Sequence, residues 1–391
     1  NLDQLFRDDI EKFIEYNLVD VELVVGFEEK LQFIDLCRGI CHSGHVPYED
    51  FVYSSKYLEG AMLTYLRRRN LVAPNKPADR KERMQAIRDN NQEKFIGAYV
   101  KAPIVGKYEW IYDLDLTSLY PSIIMTLNIS PEAKVGKVQD WDANKFVKGE
   151  VDTYRIGEDT ITKENLKKYL EQSKFSIASN GVLYRTDKVG CIPGILNLWF
   201  DKRVEYKNEM KKYGKAGDKE KYAFYHKRQL VQKILLNSLY GVLGLPAFRF
   251  YDVDNATAVT TTGQTVIKST ADMANIKYNK ELNTPDLDSN IYIDTDSVFF
   301  SAVPLMDKRF PNWKDEEQDT IAGYVNDIAE EMQDYLNDFY DILAKKVLNV
   351  DKDKHRLEIK KEYVAKAGLW IAKKRYAQWI ISDNGVPCDK L

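Results

Sequence analysis

Cysteine is scarce in this chain: Cys37, Cys41, Cys191 and Cys388 are the only four in 391 residues. A disulfide framework for that length is excluded, and a reducing compartment fits. Proline (12) and glycine (20) are sparse too, which argues against collagen-like and low-complexity scaffolds. No run of about 18 apolar residues occurs, and Asn1 to Asp9 lack a basic stretch followed by an apolar one. Neither a membrane span nor a signal peptide is visible, so the expectation is a cytoplasmic protein with no membrane partner. An excess of one charge is missing as well: 57 Lys and Arg against 60 Asp and Glu leave −3, no global pull toward a polyanion. The length predicts two or three domains. The chain opens at Asn1 instead of Met and reads as a fragment.

Charge is present locally. Between Asp201 and Lys233, 11 Lys or Arg stand against 5 Asp or Glu, and between Ile359 and Tyr376, 6 stand against 1. Each segment can hold a polyanion, or simply be a solvated helix face. Tyrosine is abundant, 25 against 16 Phe and 6 Trp, which suits surfaces that pack against sugars or bases and also hydrogen-bond.

Periodicity organises the chain. Leu5, Ile10, Phe13, Ile14, Leu18, Val24, Phe27, Leu31 and Ile34 recur at helical spacing, so Leu2 to Arg69 reads as largely helical. Ala73 to Glu93, with Pro74 and Pro77, reads as a linker or mobile loop and a domain boundary. Glu109 to Leu116 (EWIYDLDL) predicts a buried strand that turns at once into a helix over Ser118 to Leu127, with Pro121 near its first turn. A turn at Asn180-Gly181 separates two strand-like runs. Gly194 to Tyr213 and Asp218 to Leu243 predict an antiparallel helical hairpin. Asn290 to Ser301 alternates like two strands that meet at central acids. Ile321, Val325, Ile328, Met332, Leu336, Phe339 and Leu343 mark a helix with an apolar face for a sheet and an acidic opposite face.

Two acidic motifs sit on these strands about 180 residues apart: Asp113 and Asp115, then Asp294 and Asp296. Carboxylates at the ends of adjacent strands can hold two hard divalent cations, the apparatus for in-line displacement at phosphorus; either pair alone can equally be a cap or turn device. On the hairpin, Arg203 and Lys207 are i, i+4, and Lys233, Asn237 and Tyr240 are i, i+4, i+7. One face thus presents three cations, an amide and a ring, fit for a triphosphate and a base; the plain alternative is an exposed basic helix pair with Tyr240 in the core.

Four segments then carry a resemblance. DLTSLYPSII (Asp115 to Ile124), KILLNSLYG (Lys233 to Gly241), YIDTDS (Tyr292 to Ser297) and KKRY (Lys373 to Tyr376) resemble, in order and spacing, the palm and fingers motifs of family B DNA polymerases. GAYVKAPI and NISPE resemble the T-even-like bacteriophage branch, and the resemblance runs from about Tyr16 to the end. It implies an α+β fold: an antiparallel-sheet palm with helices and an inserted helical-hairpin fingers domain. The implied domains are 1–75, a C-terminal remnant of an exonuclease domain with a connecting region; 76–192, the first part of the palm; 193–244, the fingers; and 245–391, the second part of the palm, thumb absent.

The implied activity is DNA-directed DNA synthesis with two Mg2+ ions, or Mn2+ in their place. Asp115 and Asp296 would bind both metals, with Asp294 a weaker catalytic partner, the Leu116 backbone against the metal-bound triphosphate and Glu362 an acid near the metals. Ser118, Leu119 and Tyr120 would meet the nucleotide, Tyr120 lying under the sugar and excluding a 2′-hydroxyl. Arg203, Lys207, Lys233 and Asn237 match the triphosphate positions, and Tyr240 and Gly241 the surface over the nascent base pair. Lys373, Lys374, Arg375 and Tyr376 match the grip on primer-template DNA. The implied partners are primer-template DNA, dNTPs, and a sliding clamp or a separate exonuclease or thumb chain.

The chain departs from the pattern in places. Tyr16 to Asp20 resembles the third exonuclease motif, but the first two would lie upstream, and Asp20-Val21-Glu22 falls on a predicted helix instead of the required strand. Proofreading by this chain alone, and tight DNA binding without a thumb, are not expected. Asp113 sits where no metal ligand is expected. Cys37, Cys41, His42 and His45 supply four zinc-type ligands in nine residues, but Cys37 and Cys41 read as helix-packing residues. Two other functions compete: a non-catalytic fragment that binds DNA or nucleotide, and a haloacid dehalogenase-like phosphatase in which Asp113 of WIYDLDLT attacks phosphate.

Overall fold

The computed structural model describes residues 2–76, 97–383 and 385–391. Residues 77–93 of the expected linker lie outside them. Contacts divide the chain into two units, Asn1–Asn75 with Leu198–Val242, and Lys76–Asn197 with Leu243–Leu391.

The first unit is helical. Asp9 caps the Ile10–Leu31 helix by accepting the Lys12 amide at 3.0 Å, and Gln32, at φ 52°, breaks it from the Phe33–Gly44 helix. The sequence pattern implies a buried stripe along Leu2–Asp8 and Ile10–Leu31, yet neither helix buries a residue. Apolar residues occur all around the longer helix, and Ile10, Leu18, Val24 and Phe27 are each more than half exposed. Burial begins at Phe33–Gly44, which crosses the Ser54–Arg67 helix where Gly44 and Gly60 let the two backbones touch. The Cys191–Lys215 and Lys219–Leu243 helices form the expected hairpin. Tyr57 Oη donates to Ser238 Oγ at 3.2 Å, and Lys227 pairs with Asp35 at 2.9 Å, so hairpin and N-terminal helices share one unit.

The second unit is built on antiparallel sheets, so the α+β class expected from the sequence is the class adopted. The strands are β1 (Gly106–Leu116), β2 (Lys134–Gln139), β3 (Thr153–Ile156), β4 (Asp159–Thr162), β5 (Phe175–Ile177), β6 (Val182–Arg185), β7 (Asn290–Asp294), β8 (Ser297–Ser301), β9 (Ile359–Ala372), β10 (Arg375–Asp383) and β11 (Val386–Lys390). Six of them align in the order β11-β10-β9-β1-β8-β7, and five in the order β4-β3-β2-β6-β5. β1 lies inside the larger sheet, paired on both sides, and is buried from Trp110 to Leu114 and at Leu116. Gly181, at φ 84°, makes the turn between β5 and β6.

The long Gln318–Val347 helix covers the larger sheet with Ile321, Val325, Ile328, Met332, Leu336 and Leu343; Tyr340, not Phe339, takes the remaining inward position. Tyr340 Oη lies 2.7 Å from Thr270 Oγ1 on the Val253–Leu282 helix, a polar tie that only one of the two rings can make. Asn337 holds the start of β9, exchanging hydrogen bonds with both backbone groups of Ile359.

Gly60→Ala would drive a methyl into the Gly44 carbonyl. The expected cost is about 1–3 kcal/mol, read as a lower midpoint for urea loss of helical circular dichroism, with the sheet-bearing unit unaffected.

Candidate active site

Register delivers the first acid. Asp115 lies opposite Ser297 on β8, and Ser297 Oγ donates to Asp115 Oδ2 at 2.8 Å. The Leu116 amide donates to the Asp296 carbonyl at 2.9 Å and the Thr117 amide to the Glu358 carbonyl at 2.8 Å, pinning the exit of the strand. Ser118 then turns the chain at φ 48°, a left-handed conformation rare outside glycine, into the Leu119–Leu127 helix. Ser122 Oγ locks that turn by donating to the Thr117 carbonyl at 2.8 Å.

A second strained turn carries the other acids. Between β7 and β8, Thr295 sits at φ 62° and the Asp296 amide donates to the Asp294 carbonyl at 2.7 Å. Asp294 is engaged: Lys374 Nζ lies 2.9 Å and 3.0 Å from its two oxygens, and Tyr292 Oη donates to it at 3.3 Å. Sequence reading did not foresee the Lys374–Asp294 pair. The available signal was Lys373-Lys374 as a two-residue turn between strand-like runs, since Lys374 at φ 59° closes the β9–β10 hairpin. Lys373 is held too, donating to the Val100 carbonyl at 2.7 Å, while Arg375 is exposed and Tyr376 stacks on Trp370 with ring centroids 5.7 Å apart.

Like charge is crowded here. Burial, then the charges of Asp115, Glu362 and Asp296, push the Asp113 carboxyl far above the ordinary carboxylate range. Asp296 is pushed up to about 6, chiefly by burial and then by Asp294 and Glu362, against its own backbone amide and Lys374. Asp113 is 1% exposed and its Oδ1 has no hydrogen-bond partner. At 1% exposure the Asp113 carboxyl is closed to a phosphate ester, and the phosphatase alternative loses its nucleophile. Glu362 stands on β9 beside an irregularity in the β1–β9 ladder, with its side chain exposed.

The donor set fits a hard divalent cation. Asp115 and Asp296 offer oxygen ligands from paired strands, and mutual repulsion of the acids is what a dication relieves. Among the described residues, no three Asp, Glu, His or Cys side chains group into a metal site. Mg2+ needs no more than one or two protein carboxylates when phosphates and water complete its shell. Cys37 and Cys41 lie buried on the Phe33–Gly44 helix as packing residues, and burial raises both thiols.

Tyr120 stands near these acids, its hydroxyl pushed up to about 12 by burial and then by the Asp296 charge. Gly263, on the Val253–Leu282 helix, leaves it room: a Cβ there would stand 3.1 Å from Tyr120 Cε1. Leu119 is buried and Ser118 half-buried. In the other unit, Arg203 and Lys207 sit on one hairpin helix and Lys233, Asn237 and Tyr240 on the other. Lys207, Lys233, Asn237 and Gly241 are exposed, whereas Arg203 and Tyr240 are half-buried.

Comparison with known proteins gives a consistent likeness. The family profile described as DNA polymerase family B matches residues 52–309. The chain is 24% identical over 433 residues to the DNA-directed DNA polymerase of Escherichia phage RB69, covering 96% of this chain and 44% of that protein. To the corresponding protein of Enterobacteria phage T4 it is 26% identical over 437 residues, covering 96% and 45%. DNA polymerase 1 of Pyrococcus abyssi (strain GE5 / Orsay) is 28% identical over 383 residues, covering 96% and 38%. The chain therefore spans less than half the length of these relatives. Among solved structures, the family B DNA polymerase from the hyperthermophilic archaeon Pyrobaculum calidifontis matches in fold with a TM-score of 0.58 at 22% identity, over 96% of this chain and 38% of that one.

Two outcomes test this geometry. Asp296 is raised in the folded protein, so in the absence of metal the folded state loses stability as pH rises from about 4, its unfolded value, through about 6. Asp296→Asn should therefore raise the unfolding free energy at pH 7 by on the order of 2 kcal/mol and leave it unchanged at pH 3; chemical denaturation at both pH values checks it. Gly263→Ala should shift the Tyr120 ring by a few tenths of an ångström, visible as a changed tyrosine ring signal in NMR spectra without loss of fold.

Proposed function

The chain belongs to DNA polymerase family B, and on that premise we propose that it is a DNA-templated polymerase core, joining dNTPs to a primer 3′-hydroxyl. The observation that carries the reading is the placement of Asp115 and Asp296 at the ends of paired strands with repulsion built in. Asp115, Asp296 and the Leu116 carbonyl would hold two Mg2+ ions, or Mn2+, which when bound neutralise phosphate charge and lower the cost of ionising the attacking hydroxyl. Ser297 fixes the Asp115 carboxylate by its hydrogen bond. Lys374 neutralises Asp294, which reads as an orienting acid beside the ligands. Glu362 is a further acid of the site.

Each remaining residue has a part. Ser118 and Leu119 open a helix whose amides suit phosphate charge. Tyr120 would lie beneath the sugar and exclude a ribose 2′-hydroxyl. Arg203 with its planar fork, the point charges of Lys207 and Lys233, and the Asn237 amide would take the triphosphate and stabilise departing pyrophosphate. Tyr240 and Gly241 would cover the nascent base pair. Lys373, Lys374, Arg375 and Tyr376 would hold the primer-template backbone. On this reading, 76–192 and 245–391 are the two parts of a palm, 193–244 the fingers, and 1–75 an exonuclease remnant with a connecting region. A sliding clamp, or a chain carrying exonuclease or thumb, would be a further partner in processive copying.

Primer extension on a recessed duplex with four dNTPs and Mg2+ at low salt tests the proposal. Asp115→Asn and Asp296→Asn should each lower kcat by roughly 100-fold or more while dNTP binding persists; Asp113→Asn should retain activity. Arg203→Ala and Lys233→Ala should raise the KM for dNTP, and Tyr120→Ala should admit ribonucleotides. Wild-type protein that binds dNTP and DNA yet never extends a primer would sink the catalytic reading and leave a binding fragment.

A further inference from the structure

The distal part of the helical hairpin carries a second, unclaimed arrangement. Between Lys211 and Arg228 there are seven Lys or Arg against two Asp or Glu, with four Tyr or Phe and one His interleaved among them. No residue from 201 to 228 is buried, so no core requires these rings. Some brace the hairpin: Tyr213 and Tyr225 stack across it at 5.5 Å with planes 4° apart. Others do not. Phe224 is 48% exposed and Tyr222 42% exposed, unlike the charged or small residues that helix tips in water ordinarily carry.

The exposed rings are held in fixed poses. Tyr222 packs one side against Gly214, whose missing side chain leaves room for it, and stacks on His226 one turn along, 6.1 Å away with planes 13° apart. Phe224 meets the Tyr225 ring edge-on at 5.2 Å, and the Arg228 guanidinium lies 4.4 Å from its centre. Lys212 and Lys221 flank the Tyr213 ring at 5.2 Å and 4.9 Å. Rigid, half-exposed π-faces set among ammonium and guanidinium groups are the two components that single-stranded nucleic acid binding uses: rings for unpaired bases, cations for the phosphates between them. An acidic polypeptide would use the cations but has no need of the rings, and a duplex hides its base faces.

We propose that the hairpin tip, centred on Tyr222 and Phe224, is a stacking platform for single-stranded DNA. The assignment goes beyond the polymerase reading and does not require it, because the site contains none of the residues given to metal, nucleotide or primer. In a templated reaction it would take unpaired template.

The test is fluorescence anisotropy with the full chain, without nucleotide or metal, using a labelled oligo-dT of about 10 nucleotides and an abasic strand of the same length and charge. Wild type should bind the oligo-dT at least about tenfold more tightly than the abasic strand. Tyr222→Leu with Phe224→Leu should lose that preference, leave the abasic affinity and the salt dependence unchanged, and keep the helical circular dichroism of wild type. Phe224→Tyr, which keeps a ring, should retain the preference. Equal wild-type affinity for both strands, an undiminished preference in the double variant, or displacement of the oligo-dT by poly-glutamate as readily as by unlabelled oligo-dT would overturn the platform. The last result would mark an acidic-protein surface instead.

Discussion

Strand register between β1 and β8 is the constraint on which the site depends. Side chains alternate across a strand, so a slip of one residue would turn Asp115 to the opposite face and part it from Ser297. Several features hold the register. β1 is paired on both sides, its exit is fixed by the Leu116 and Thr117 amides, and the Leu119–Leu127 helix begins at once on a left-handed turn at Ser118. The neighbouring strands fix their own ends in the same manner, through Thr295 and Lys374 in left-handed conformations. Three non-glycine residues in that region, all at turns beside the acids, mean that the fold holds strain around the candidate site.

Electrostatics runs against stability at the same place. Asp115, Glu362 and Asp296 raise the proton affinity of Asp113, Asp294 and Glu362 raise that of Asp296, and Lys374 gives Asp294 a counter-charge. A fold selected for stability alone would dilute that charge. Beneath it, Tyr292, Phe299, Trp370 and Tyr376 form a ring cluster with centroids 5.5 to 5.9 Å apart, and the turn that bears Lys374 rests on it. Packing of rings thus sets where a cation stands, an arrangement of rigid apolar support under a polar site.

The helical unit follows a different logic. Its hairpin presents cations and rings along surfaces that bury little, and its Ile10–Leu31 helix buries nothing among the described residues. Periodicity reports that a helix has an apolar stripe; it does not report what covers the stripe, because the covering surface belongs to other residues.

Much of this protein is legible in one dimension. EWIYDLDL followed by SLYPS must be strand, turn and helix, since a strand-like apolar run meets residues with helix-start character, and Gly214 to Gly217 must break the hairpin. The acidic pairs, the i, i+4 cations and the α+β class follow from such local chemistry, and the family profile rests on the same letters. Other features needed the third dimension. That Asp113 is buried while Asp115, two residues on, is partly open depends on which strands flank β1. That Lys374 neutralises Asp294 depends on a hairpin 80 residues away folding back over the turn. That Tyr340, rather than Phe339, faces inward, where its hydroxyl meets Thr270, is set by the phase in which the helix packs. Local sequence sets conformation through short-range sterics and periodicity, whereas burial, ion pairing and proton affinity are properties of neighbours brought together only when the chain closes on itself.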